Sequence, residues 1–288
     1  MKKLFTVLAI ACVAVLFVSC HKDGVYTPNK KISEIYYTNE DGVRALDQVW
    51  TWNKDNTLNR IDIYEGAAVY SSFVFTYEKK RVVRLDNATN DRFVEYEYEG
   101  DHLTKAFAYS GSIILEAYRF TYDKGKISKI VGTLGGYKSA EDHFNALQFV
   151  LPDEVFQSVE KTQKKHLAKG DIKSDWVETY DFTWTKNNIT GLTVTITSGS
   201  GYASKVMHEY QYDNKKNPLY GAFINLWFDT DVYEGNLNSN NITRSISREE
   251  GEDDEIIDYQ YTYKGQYPIS KKINYGDETT LTEYVYAK

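Results

Sequence analysis

Cysteine is almost absent: the 288 residues hold two, Cys12 and Cys20. Cys12 lies inside an opening apolar run, Leu4 to Val18, which reads as a leader lost from the mature chain. Cys20 is then the one remaining thiol. That excludes a disulfide within the monomer, a thiolate metal cluster and a cysteine nucleophile. Histidine is sparse too. His21, His102, His143, His166 and His208 form no His-x-x-x-His pair and no His-Glu-x-x-His zinc motif. Gly-x-Ser-x-Gly is missing, and the nearest stretch, Ser198-Gly199-Ser200-Gly201, follows the strand-like Leu192–Thr197 and reads as a hairpin loop. Long apolar runs are confined to Leu4–Val18, whose 15 residues are too few to span a bilayer comfortably, and nothing resembling a stop-transfer segment follows. Basic charge is also in deficit. With Lys2 and Lys3 removed from the 34 Lys+Arg, 32 face 41 Asp+Glu, a net of −9. A chain this acidic is a poor partner for nucleic acid or for an anionic membrane surface.

Aromatic residues fill the space, 25 of them tyrosine. The stretch Arg119-Phe120-Thr121-Tyr122-Asp123-Lys124-Gly125-Lys126-Ile127-Ser128-Lys129-Ile130 shows the unit. Residues i and i+2 of a strand share a face, so Phe120 and Tyr122 form one wall of a hairpin's first strand. Gly125 supplies the positive φ of the loop, and Ile127 opens the return strand. Copies of the pair recur at Trp50/Trp52, Phe75/Tyr77, Tyr96/Tyr98, Phe182/Trp184, Tyr210/Tyr212, Tyr261/Tyr263 and Tyr284/Tyr286. Apolar residues follow five of the pairs at fixed offset, at Leu58, Val82, Leu103, Ile127 and Ile189. Asn240–Ile246 resembles Lys186–Leu192 with its aromatic half worn away, which brings the total to about nine units. Two strands per unit gives roughly 16–20 strands of ordinary length.

Val94-Glu95-Tyr96-Glu97-Tyr98-Glu99 sets three apolar positions against three glutamates, the pattern of a half-buried antiparallel strand. Glutamates at alternate positions suit a wet outer face or the wet lumen of a transmembrane barrel; the chain ends in Ala287-Lys288 rather than in the terminal aromatic of outer-membrane barrels, which favours a sheet on a lipid tether. The expected fold is all-β: a long antiparallel meander of hairpins curled into a barrel or half-barrel. A helical insertion interrupts it at about 137–172. Ser139-Ala140-Glu141-Asp142 matches a capping box ahead of Phe144, Leu147 and Leu151, and Pro152-Asp153-Glu154 suits a second helix start. Val155, Phe156 and Val159 line one side of that second helix.

Farther on, Phe223–Phe228 is apolar on both faces and calls for cover on both. A seam between it and the insertion is the candidate ligand site, with Trp227, Asn225, Asp229 and Phe144 as its candidate residues and His143 nearby. Asp229-Thr230-Asp231 with Glu234 offers oxygens but lacks an EF-hand pattern. Glu249–Glu255 reads as a solvated acidic loop tip. Paired carboxylates such as Glu95/Glu97 abound, and nothing marks one pair as a glycosidase dyad. Neither catalysis nor a cofactor is expected.

The start of the chain carries an address. Phe17-Val18-Ser19-Cys20 resembles a bacterial lipobox, with Phe17 where Leu is usual, which implies acylation of Cys20. Lys22-Asp23 resembles the export signal of Bacteroidetes lipoproteins bound for the exterior face, with Gly24 in place of a second acid. Tyr122-Asp123-Lys124-Gly125-Lys126-Ile127 and Tyr212-Asp213-Asn214-Lys215 resemble the YD repeat of secreted shell and wall-associated proteins. Taken whole, the chain is similar to a family of Bacteroidetes lipoproteins with a porin-like β fold. The resemblance implies a barrel-like meander and brings no catalytic residues with it. The expected organisation is a signal peptide at 1–19, a lipidated polar tether at 20–31 and one β domain at 32–288. Its partners are expected to be the lipid bilayer, through the Cys20 acyl anchor, and a small molecule or glycan, at the outer membrane. The competing expectation is a structural or protein-interaction component of that membrane with no small ligand.

Overall fold

The computed structural model describes residues 22–39, 41–134, 176–198, 203–222, 236–275 and 278–288. The first strands are β1 (Ile32–Thr38), β2 (Arg44–Trp52), β3 (Leu58–Glu65) and β4 (Ala68–Glu78). Next come β5 (Arg81–Asn87), β6 (Arg92–Glu99), β7 (His102–Ser110) and β8 (Ile113–Asp123). β9 (Lys126–Leu134), β10 (Trp176–Thr185), β11 (Asn188–Ser198) and β12 (Ala203–Lys216) follow. The last four are β13 (Asn240–Glu249), β14 (Glu255–Lys264), β15 (Tyr267–Tyr275) and β16 (Glu278–Tyr286). Every strand pairs with its chain neighbours, and β1 pairs antiparallel with β16, so the sheet is a closed barrel. The half-barrel alternative falls away. Among the described residues there is no helix. The helical insertion expected at 137–172 and the strand Phe223–Phe228 lie outside them.

All eight aromatic pairs sit on even-numbered strands, so the repeat unit is one even strand, a turn and the next odd strand. The ninth copy is corrected. Asn240–Ile246 opens β13, which pairs directly with β12 from Tyr212↔Ile242 onward. Its aromatic half was never lost, because β12 supplies it across a long connection.

Connections from even to odd strands gather at one rim of the barrel and those from odd to even at the other. Most of the first set are two-residue turns such as Lys124-Gly125, both at positive φ. Residues 22–31 also cross this rim, which we call the plugged rim. The opposite rim, where β9 leads into residues 135–175, is the insert rim.

Residues 22–31 are not a free polar tether from Asp23 onward. Asp23 is 7% exposed and Tyr26 2%. The Asp23 carboxylate accepts from the Tyr122 hydroxyl at 2.6 Å and the Leu103 N–H at 3.0 Å. Its own N–H donates to the Asp101 carbonyl at 3.0 Å, and Val82 N–H donates to the Gly24 carbonyl at 3.0 Å. Tyr26 donates to the Pro218 carbonyl at 2.7 Å. The segment behaves as an extra strip of wall because β5 and β7 present backbone groups there that have no ladder partner.

A single geometry explains the aromatic repeat. Where an odd strand meets the following even one, the ladder stops short of the plugged rim, as at Arg84↔Glu95 between β5 and β6. Two residues further along β5 the Val82 carbonyl has no ladder partner; three residues further along β6 the Tyr98 hydroxyl reaches it at 2.7 Å. The same offset joins Trp52 to the Ile32 carbonyl, Trp184 to that of Ile127 and Tyr286 to that of Pro268, at 2.7, 2.7 and 2.6 Å. Tyr212 donates likewise to Ile189. A buried orphan carbonyl costs more than an ordinary hydrogen bond gains, so in these five pairs the second aromatic is held by the stagger of the barrel, while Tyr122 and Tyr263 donate instead to Asp23 and Asp213.

Buried apolar side chains from all sixteen strands form one continuous cluster, so they line the inside of the closed sheet. Ile35, Val94, Ile130 and Val194 are 0% exposed. Such positions would be wet in an open aqueous channel, so the bore is sealed at these levels. The outer wall is charged instead. Arg84–Glu95 (3.0 Å), Lys105–Glu97 (2.7 Å), Arg248–Glu209 (2.8 Å) and Arg244–Asp258 (2.6 Å) pair across neighbouring strands, and Lys129–Asp181 adds another at 3.5 Å. A basic residue on a lipid-facing wall costs about 2–4 kcal/mol at mid-membrane. A lipid-embedded pore carries an apolar band on its outer wall, and this wall carries a belt of ion pairs instead.

Candidate functional site

Two constellations stand out among the described residues, one sealed and one open. The sealed one is a polar tier inside the bore. Along each even strand the two inward positions nearest the plugged rim are aromatic; beyond that level polar side chains appear on several strands, even and odd. Gln48, Glu116, Glu178, His208, Ser247 and Lys271 all face inward, each 6% exposed or less. Three are held by the aromatic residue two positions on, which shares their face. Trp50 donates to Gln48 at 2.8 Å, Tyr118 to Glu116 at 2.9 Å and Tyr180 to Glu178 at 2.6 Å. Tyr118 and Glu178 share a rung through Gly132 of β9. On the far wall His208 Nδ1 lies 2.8 Å from Ser247 Oγ, and burial lowers the His208 pKa to about 3, so the ring is neutral. The tier can specify packing and register, and it is not a surface site.

The open constellation is a cleft of about 590 Å³ at the plugged rim, between residues 22–31 and the start of the β12–β13 connection. Pockets of some 300–1,000 Å³ suit small ligands. Its walls include Lys22, Thr27, Asn29, Lys216, Tyr220 and Tyr267, and no carboxylate among the described residues lines it. Asn217 shapes its floor, donating to the Asn238 carbonyl at 3.0 Å and accepting from Leu219 N–H at 2.9 Å. Lys216 Nζ stands 5.9 Å from the Tyr267 ring centre, and Lys216 makes no ion pair among the described residues. Lys22 pairs with Asp101 at 3.1 Å in an exposed contact, which leaves it available to an anion. Two cations, an aromatic face and neutral amides suit a small anionic or sugar-like ligand.

Trp227, Asn225, Asp229, Phe144 and His143 lie outside the described residues, as does Cys20. The topology does bear on the proposed seam. The described residues that flank 223–235 lie at the plugged rim and those that flank 135–175 at the insert rim, so the two halves of the seam start from opposite ends. Sequence reasoning missed the cleft because its lysines, asparagine and tyrosine come from three separated segments. The sole local hint was the Lys215-Lys216 pair beside Asn217-Pro218.

Fold and cleft together define a closed sixteen-stranded antiparallel barrel with a charged outer wall, a sealed bore and one plugged end. Among solved structures the chain is similar to a porin-like protein from Bacteroides vulgatus, with a TM-score of 0.57 and 10% identity over 90% of this chain and 99% of that one. A porin-like protein from Bacteroides uniformis also aligns, at 13% identity and a TM-score of 0.49, over 89% of this chain and 98% of that one. At these identities the likeness is one of fold. No family model matches the chain, and no curated protein matches it.

Proposed function

We propose that this chain is a lipid-anchored protein of the bacterial outer membrane whose barrel stands in water and binds a small anionic molecule or glycan. The observation that carries the reading is the charged outer wall around a sealed apolar bore. A wall of paired arginines, lysines and carboxylates does not enter lipid, so the membrane is reached through the acyl group on Cys20. The cleft beside Lys22, Lys216 and Tyr267 is the binding site, and no chemistry is performed on the ligand. Fatty-acid analogue labelling tests the anchor: wild type takes up label and Cys20→Ala does not, while equal labelling of the two overturns it. A glycan array with calorimetry on acidic sugars tests the cleft. Binding that is lost in Lys216→Ala supports it. Binding that Lys216→Ala leaves unchanged refutes the site, and silence across the array favours the structural or protein-interaction role.

A further inference from the structure

The two rims carry opposite charge. Among the described residues, the N-terminal segment and the turns of the plugged rim hold eight lysines against three aspartates. The described turn residues of the insert rim hold six acids, four of them in Glu250–Asp254, and no lysine or arginine. Residues 223–235, which belong to a plugged-rim connection, add three acids, and the lysines still outnumber the acids. A chain acidic overall is therefore basic at one end.

A second observation shows that these lysines are placed at a conformational cost. Five non-glycine residues among those described have positive φ: Asn56, Lys79, Lys80, Lys124 and Lys186. All lie in plugged-rim turns and four are lysines. Glycine or asparagine adopts this conformation at lower cost, so turn geometry does not select lysine at these sites. At the insert rim, the positive-φ positions Gly42, Gly66, Gly111 and Gly251 use the residue that turn geometry prefers.

A third observation is where the chain enters. Asp23 is pinned to Asp101 at the plugged rim, and Cys20 is two residues before Lys22. Two residues span at most about 7 Å, so whatever Cys20 is attached to lies against this rim.

We infer that the plugged rim is a docking face for an anionic membrane surface, with the barrel standing end-on and its acidic rim pointing away. The inference deepens the anchored reading by giving the barrel an orientation and the cleft a ligand class. The cleft opens on the same face, with Lys22 and Lys216 in its wall, so the phosphate-bearing headgroup of a lipid is the ligand it meets. Lysines near such a surface each strengthen binding about fivefold, through an attraction that fades within a Debye length and is screened by salt.

The test uses the processed chain from residue 20, as the acylated protein and as Cys20→Ala, with vesicles of phosphatidylglycerol and phosphatidylethanolamine or of phosphatidylcholine alone. Cys20→Ala is expected to sediment with the anionic vesicles and not with the neutral ones, and to be released by about 0.5 M salt. Replacing Lys79, Lys80, Lys124 and Lys186 by asparagine removes four charges while favouring the turns, so binding should drop by more than about 100-fold with the fold retained. Indifference of Cys20→Ala to anionic vesicles, or unchanged binding of the four-asparagine variant, overturns the docking face. Equal binding to neutral vesicles also overturns it and moves the contact to the exposed apolar tips of the insert rim, such as Tyr70 and Ile113. If acylated protein binds both vesicle types alike and Cys20→Ala binds neither, the anchor stands and docking fails. If Cys20→Ala docks but Cys20 takes up no label, docking stands and the anchor fails.

Discussion

The ring of Tyr118 on β8 lies across Gly132 on β9, so close that a Cβ at position 132 would come within 2.5 Å of the ring. The glycine is there for space. With it, Tyr118 tucks into the wall and holds the Glu116 carboxylate; without it the ring must swing into a filled bore. Gly132→Ala is expected to cost about 1–3 kcal/mol in urea denaturation, the usual cost of overpacking. Combining it with Tyr118→Leu should cost less than the sum of the single changes, since the clash is then gone. Additive costs would show that ring and glycine are independent.

The aromatic clasp makes a separate claim. Tyr98→Phe keeps the ring and removes the donor to the Val82 carbonyl, so it should cost about 1–2 kcal/mol. Tyr70→Phe is the control, because Tyr70 is 60% exposed, and it should stay within about 0.5 kcal/mol of wild type. Equal effects in chemical denaturation would refute the clasp.

Asp23 joins the N-terminal segment to the barrel through charge-assisted bonds. Asp23→Ala should lower stability by about 1.5–3 kcal/mol and open Lys30 and Lys31 to trypsin while the barrel persists. Asp23→Asn keeps an acceptor oxygen and should fall between. Resistance to cleavage equal to wild type in Asp23→Ala would mean that Tyr26 alone secures the segment.

His208 gives a pH dependence of definite sign. Its folded pKa is depressed to about 3 by burial, below the ordinary 6.5, so between these values the unfolded chain binds the extra proton. Stability from this group is fully present above about pH 6.5 and is lost as pH falls toward 3, with a slope of at most about 1.4 kcal/mol per pH unit. Unfolding free energies measured from pH 7 to 4 should show that slope in wild type and not in His208→Gln. The same slope in both proteins would assign it to carboxylates elsewhere.

The even strands were legible because strand periodicity is local. Val94, Tyr96 and Tyr98 declare their face within six residues, and Lys124-Gly125 declares a turn by chemistry alone. Periodicity also explains the error at Asn240–Ile246. An odd strand looks like half a worn repeat when its even partner lies across a long connection, and only pairing reveals the partner. From Asp23 onward the expected tether is docked on the barrel, for a related reason: a polar segment looks solvated until Leu103 N–H and the Tyr122 hydroxyl are found bonded to Asp23.

What the sequence determined by itself was the meander, a range of roughly 16–20 strands and the charged outer face, all carried by residues fewer than about ten apart. Closure of β1 on β16, the sealed polar tier and the cleft were decided by the tertiary structure, because each joins residues far apart in the chain. Charge shows the division most plainly. A sum over the sequence is blind to place and gave an acidic protein ill suited to an anionic surface. The alternation of an antiparallel barrel sends every second turn to the same rim, and that sorting gathers the scattered lysines into one basic face.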